Sequence, residues 1–129
     1  MPKKLISVLL VVLLLVLTAN ISLAEWISPF AETGCEISAN IQFSKGKAQA
    51  ISTISHVPSG YSVKTSVILQ KKSGSSWVSV SSSSGIREAC ASATAVKGVT
   101  YRAYAKGWLY DQKGAFVDSF TATSRSKKY

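Results

Sequence analysis

YSVKTSVILQKKSGSSWVSVS, residues 61 to 81, is the stretch on which the reading of the fold turns. Val63, Thr65, Val67 and Leu69 alternate with Lys64, Ser66, Ile68 and Gln70, which gives a segment with one apolar and one polar side. A lysine, serine and glycine break follows, and Val78 and Val80 then take up the same period of two. Two alternating runs around such a break predict a β-hairpin.

The same alternation extends outward in both directions. Upstream, Cys35, Ile37, Ala39, Ile41 and Phe43 oppose Glu36, Ser38, Asn40 and Gln42, the cleanest strand pattern in the chain. Lys45-Gly46-Lys47 reads as a turn, and Ala48, Ala50, Ser52 and Ile54 as a second strand of small residues ending near His56, before Val57-Pro58-Ser59-Gly60 breaks the chain. Downstream, eight of the twelve residues from Ser73 to Ser84 are serine, and SSSSG at 81 to 85 is expected to be a flexible loop or a loosely held edge. Residues 86 to 97, IREACASATAVK, are ambiguous: the alanines favour helix, whereas Cys90, Ser92, Thr94 and Val96 alternate as a strand. Strand is the better fit in a chain that otherwise places strands every 8 to 12 residues. VTYRAYAKGW from Val99 to Trp108 alternates again, Asp111 to Gly114 turns, and Ala115 to Ser124 forms the last strand. Seven strands joined by short turns predict an all-β fold, an antiparallel two-sheet β-sandwich of the immunoglobulin or fibronectin III-like sort.

The N-terminus is laid out as an export signal: Lys3 and Lys4, the apolar run Leu5 to Leu17, a polar break at Thr18 and Asn20, then Ser22-Leu23-Ala24. Cleavage after Ala24 is expected, with an uncleaved anchor as the rival. The expected organisation is a signal peptide at 1–24, a leader at 25–34 lying against the domain without regular strand structure, the sandwich at 35–124, and a basic tail at 125–129 that frays. Of 15 Lys and Arg, two lie in the signal, and all 6 Asp and Glu lie beyond it, so the exported chain carries 13 minus 6, or +7. Such a charge favours contact with polyanions, although the positive residues are scattered along the sequence, as on a solvated surface.

Both cysteines, Cys35 and Cys90, fall in the exported part, where two thiols of a small domain usually pair. A Cys35–Cys90 disulfide is expected. It would close a loop of 56 residues, for which chain entropy gives about 4 kcal/mol. With two cysteines and one histidine, zinc-ligand spacing is missing, and neither a metal nor another cofactor is expected.

The signal segment, the hairpin VILQKKSGSSWVSV (67 to 80) and GVTYRAYAKG (98 to 107) together resemble a family of small secreted proteins of Gram-positive bacteria. The same residues are similar, more distantly, to fibronectin type III modules. The resemblance covers most of residues 37 to 124 and implies a sandwich fold and an extracellular location, with no catalytic or ligand residue to carry over.

For catalysis the residues offer little. His56 has no nucleophile placed beside it by a motif, and no two of Glu25, Glu32, Glu36, Glu88, Asp111 and Asp118 are spaced as a glycosidase pair. The chain is therefore read as no enzyme. Binding has better material: Trp77, Tyr101, Tyr104, Trp108 and Tyr110, interleaved with Lys71, Lys72, Arg102 and Lys106, suit sugars or anionic polymers. Trp77 and Tyr101 have a competing assignment to the core. Tyr104 and Trp108, which share the parity of Arg102 and Lys106, are the candidate ligand-binding residues, with those two cations beside them. The expected protein is a secreted monomer that binds a cell-wall polymer or an extracellular protein, neither nucleic acid nor, after signal cleavage, a membrane. The alternative is a bacteriocin-like cationic antagonist acting on other cells, for which the sequence shows no basic amphipathic helix.

Overall fold

In a computed structural model the structure describes residues 27–29 and 34–129; the expected signal peptide at 1–24 lies outside the described residues. Nine strands are present among them: β1 (Ile27–Pro29), β2 (Glu36–Ser44), β3 (Lys47–Ser55), β4 (Ser62–Ser73), β5 (Ser76–Gly85), β6 (Glu88–Thr94), β7 (Thr100–Tyr110), β8 (Phe116–Thr123) and β9 (Lys127–Lys128). Seven of these, β2 to β8, are the seven expected from alternation.

The strands form two antiparallel sheets. Sheet A has the order β1-β2-β3-β6, and sheet B the order β5-β4-β7-β8, with β9 also paired to β7. The inward residues of both sheets build one core: Ile37, Ile41, Ala48, Ala50, Ala89 and Ala91 come from sheet A, and Val63, Val67, Leu69, Tyr101, Ala103, Ala105 and Leu109 from sheet B. Bulk on one sheet is set against small residues on the other. Leu69 and Tyr101 belong to sheet B, while β3 and β6 offer mainly alanine. Conversely β7 carries Gly107, where an added Cβ would stand 3.0 Å from Phe120, 3.1 Å from Ile54 and 3.2 Å from Ile37. The two sheets packed face to face make the expected sandwich.

The central hairpin forms as expected. Ser73 pairs with Ser76 across a two-residue loop, and Gly74, at φ 61°, takes the first loop position that a glycine fills best in such a turn. Tyr101, only 1% exposed, receives a hydrogen bond at its hydroxyl from the Val96 N–H at 2.9 Å. This tyrosine near the start of β7, tied to backbone a few residues upstream, is a corner device of immunoglobulin-like sandwiches.

Several expectations are corrected. Of the two alternatives expected for Ser81–Gly85, loop or edge, the loop is ruled out: the segment is the second half of β5, the edge strand of sheet B. A register shift between Leu69 and Gln70 leaves Val80 as an extra, exposed residue opposite β4 and passes the half-buried positions to Ser81 and Ser83, while Val78 is exposed together with its partner Lys71. In the leader, Ile27–Pro29 pairs with Glu36–Ser38 as a strand. The tail does not fray: β9 pairs with Thr100 and Tyr101, Tyr129 N donates to Val99 O at 3.0 Å, and the Tyr129 ring lies 5.0 Å from that of Phe43.

The expected Cys35–Cys90 disulfide is not formed. Cys35 is buried, whereas in β6 the inward set is Ala89, Ala91 and Ala93, which turns Cys90 to solvent on the other side of sheet A. Cys90 pairs with Ile51 and Ile51 with Asn40, five residues along β2 from Cys35. That offset is about 17 Å along the strand direction alone, far beyond the reach of a disulfide.

Candidate functional site

β7 runs through the middle of sheet B, with β4 on one side and β8 on the other. Its odd residues, Tyr101 to Leu109, enter the core, which leaves Arg102, Tyr104, Lys106, Trp108 and Tyr110 as a row on the outer side. Register then fixes their neighbours. Across β4, Arg102 faces Gln70, Tyr104 faces Ile68, Lys106 faces Ser66, and Trp108 faces Lys64. Across β8, Tyr104 faces Thr123, Lys106 faces Thr121, and Trp108 faces Ser119. The four candidate residues, Arg102, Tyr104, Lys106 and Trp108, are thus brought together on one surface.

Rings and cations on that surface are in contact. The Arg102 guanidinium lies 4.2 Å from the centre of the Trp77 ring, and its Nε donates to Gln70 Oε1 at 2.8 Å. Lys106 Nζ is 5.4 Å from the Trp108 ring and Lys64 Nζ 5.8 Å from the Tyr110 ring. All three fall within cation–π range. Burial lowers the pKa of Arg102 from its ordinary value, yet a guanidinium stays protonated in proteins.

The charge on this side is of one sign. Lys64 and Lys72 of β4 share the outward parity of Arg102 and Lys106, and no Asp or Glu stands at the outward positions of β4, β5, β7 or β8 among the described residues. Of the three strand carboxylates, Glu36 and Glu88 sit on the outer side of sheet A, and Asp118 of β8 pairs with the inward Leu109 and so has the other parity from the outer row. Four of the cations that look scattered along the chain, Lys64, Lys72, Arg102 and Lys106, are thus gathered on one surface.

Two grooves open on the outer side of sheet B. One, of about 420 Å³, is lined by Trp77, Arg102, Thr123, Ser124, Arg125 and Ser126. The other, of about 450 Å³, is lined chiefly by Lys64, Ser84, Ile86, Trp108 and Tyr110. Lys64 and Ile86 were not among the site residues expected from sequence. Parity within β4 already put Lys64 on the polar side, but its place beside Tyr110 and Trp108 depends on which strand pairs with β4. Trp77 belongs to the outer surface and Tyr101 to the core, and Lys71, opposite Tyr101, has the other parity from this row.

Of the groups considered for catalysis, Glu25 and Glu32 lie outside the described residues, and no histidine or carboxylate lines either groove. His56 is exposed in the connection after β3, with φ 58°. Asp111 Oδ1 accepts the N–H groups of Lys113 and Ala115, both at 2.9 Å, and so holds the β7–β8 turn. Among the described residues no group of three or more His, Cys, Asp or Glu is placed to hold a metal ion, and no helix is long and apolar enough to cross a membrane. Compared with known proteins, the chain matches no family model, and no curated protein is similar to it.

Proposed function

We propose that this is an exported, non-catalytic binding protein that holds a ligand of the cell envelope or the extracellular space, anionic in character, on the outer side of sheet B. The observation that carries the reading is the sorting of charge and aromatics. Trp77, Tyr104, Trp108 and Tyr110 stand half-buried among Lys64, Arg102 and Lys106, with no outward carboxylate among them. Aromatic residues and arginine are the side chains that most often supply binding energy at a recognition surface. A uniform positive field speeds the approach of a polyanion and disfavours cationic partners. Export is supported by the Lys3, Lys4 and Leu5 to Leu17 pattern together with Ser22 and Ala24.

The test is retention of the purified protein on isolated Gram-positive cell walls at low and high salt, beside Tyr104→Ala and Trp108→Ala. Retention that partly survives high salt and falls in both folded variants is the expected result. Equal retention of wild type and both variants would overturn the reading.

A further inference from the structure

The two grooves lie at opposite ends of one row. Arg102 marks the first and Trp108 with Tyr110 the second. Eight residues separate Arg102 from Tyr110, about 27 Å along an extended strand, and successive outward side chains recur about every 6.8 Å. Between the grooves the row is continuous through Tyr104 and Lys106, and it is flanked by hydroxyls: Ser66 on β4, Ser82 opposite Ile68 on β5, and Thr121 and Thr123 on β8. A single sugar or headgroup fills one groove and leaves the rest of the row uncovered.

We infer that the ligand is a linear acidic polysaccharide, a chain of pyranose rings bearing carboxylates, which lies along β7 from the Trp77–Arg102 groove to the Trp108–Tyr110 groove. This rests on the proposed function and narrows it to one ligand class and one binding direction. Each part of the row answers to a part of such a polymer. The C–H face of a pyranose is apolar with slightly positive hydrogens, which suits the negative face of an aromatic ring. Its hydroxyls find the serine and threonine hydroxyls, which both donate and accept. Its carboxylates find cations already stationed beside the rings: Arg102 by Trp77, Lys106 by Trp108 and Lys64 by Tyr110. Lys106 Nζ and Lys64 Nζ lie over their rings at 5.4 and 5.8 Å, so a sugar that stacks on the same face displaces each ammonium, which on its flexible stem turns to the sugar's carboxylate. A polyphosphate would engage the cations and leave the rings unused.

Length is the property that separates this ligand from a small one, because a chain long enough to occupy both grooves gains the second engagement as an intramolecular event. The experiment is titration of the purified protein with polygalacturonate fragments, a disaccharide and a dodecasaccharide, alongside methyl-esterified dodecasaccharide and a polyphosphate of similar charge. The dodecasaccharide should bind at least about tenfold more tightly than the disaccharide. Trp77→Ala and Trp108→Ala, at opposite ends, should each bring its affinity down toward that of the disaccharide. Lys106→Gln, at an exposed position, should weaken the acidic oligomer and leave the methyl ester unchanged, which guards against variants that fail to fold. Binding independent of length, or lost in Trp108→Ala alone, would sink the two-groove track while leaving the surface as a binding site. No binding of the dodecasaccharide, or polyphosphate binding that needs both tryptophans equally, would also overturn it. Wall retention indifferent to Tyr104→Ala and Trp108→Ala is the separate result that removes the underlying reading.

Discussion

Thr65 has one hydroxyl proton, and the carbonyl of Lys106 accepts it at 3.0 Å. Ser52 Oγ, 2.8 Å away, must then be the donor in the bond that joins β3 to β4 across the buried interior. The two substitutions are therefore unequal. Ser52→Ala leaves the Thr65 proton satisfied and should cost about 1 kcal/mol, whereas Thr65→Val strands the Ser52 hydroxyl in the core and should cost up to about 3 kcal/mol. Denaturant unfolding of both variants checks the order, and equal losses would refute the donor assignment. Gly107→Ala adds a methyl group within 3.0 to 3.2 Å of Phe120, Ile54 and Ile37 and should destabilise by about 1–3 kcal/mol as overpacking; a neutral melting temperature would mean that those side chains retreat freely. At this scale the sequence tells which side a residue takes and little about its partner. Alternation puts Thr65 inward with Val63 and Val67, but that Ser52 meets it follows only from how the sheets are stacked.

For single elements, alternation was legible wherever the two parities differ strongly in polarity. β2, β4 and β7 are such strands, and Arg102, Tyr104, Lys106 and Trp108 come out on one side of β7 as their parity requires. β5 and β6 are different. In β6 one parity is alanine and the other is Cys90, Ser92 and Thr94, continued by Val96 beyond the strand, so polarity names the wrong side; the core takes Ala89 and Ala91 because bulk already comes from sheet B. In β5 the extra residue at Val80 exchanges the sides midway, a change that serine on both parities conceals. The tail was unreadable for another reason: two residues in β9 carry no period, and what holds them is backbone bonding to β7 and the Tyr129 ring on Phe43. The β6 parity has a direct check. Cys90 should react with a maleimide in the native protein, and Cys35, buried and with its thiol pKa pushed up chiefly by that burial, only after unfolding. If neither reacts until a reductant is added, the disulfide would be reinstated.

On the scale of the whole molecule, the sandwich turns an unremarkable list of lysines and arginines into two unlike surfaces. Sheet B presents Lys64, Lys72, Arg102 and Lys106 among tryptophan and tyrosine; sheet A presents Glu36, Glu88 and Lys47 among small polar residues. A net charge of +9 for the chain says that polyanions are attracted but not where they settle. The central claim is that place, not total charge, decides binding. The most direct measurement compares two double variants that lose the same charge, Lys64→Gln with Lys106→Gln on sheet B, and Lys45→Gln with Lys47→Gln at the β2–β3 end of sheet A, for retention on cell walls across a salt series. Loss of retention confined to the sheet B pair is the predicted result. Equal loss in both pairs would mean that net charge alone drives binding, and would contradict the assignment of the outer side of sheet B as the binding surface.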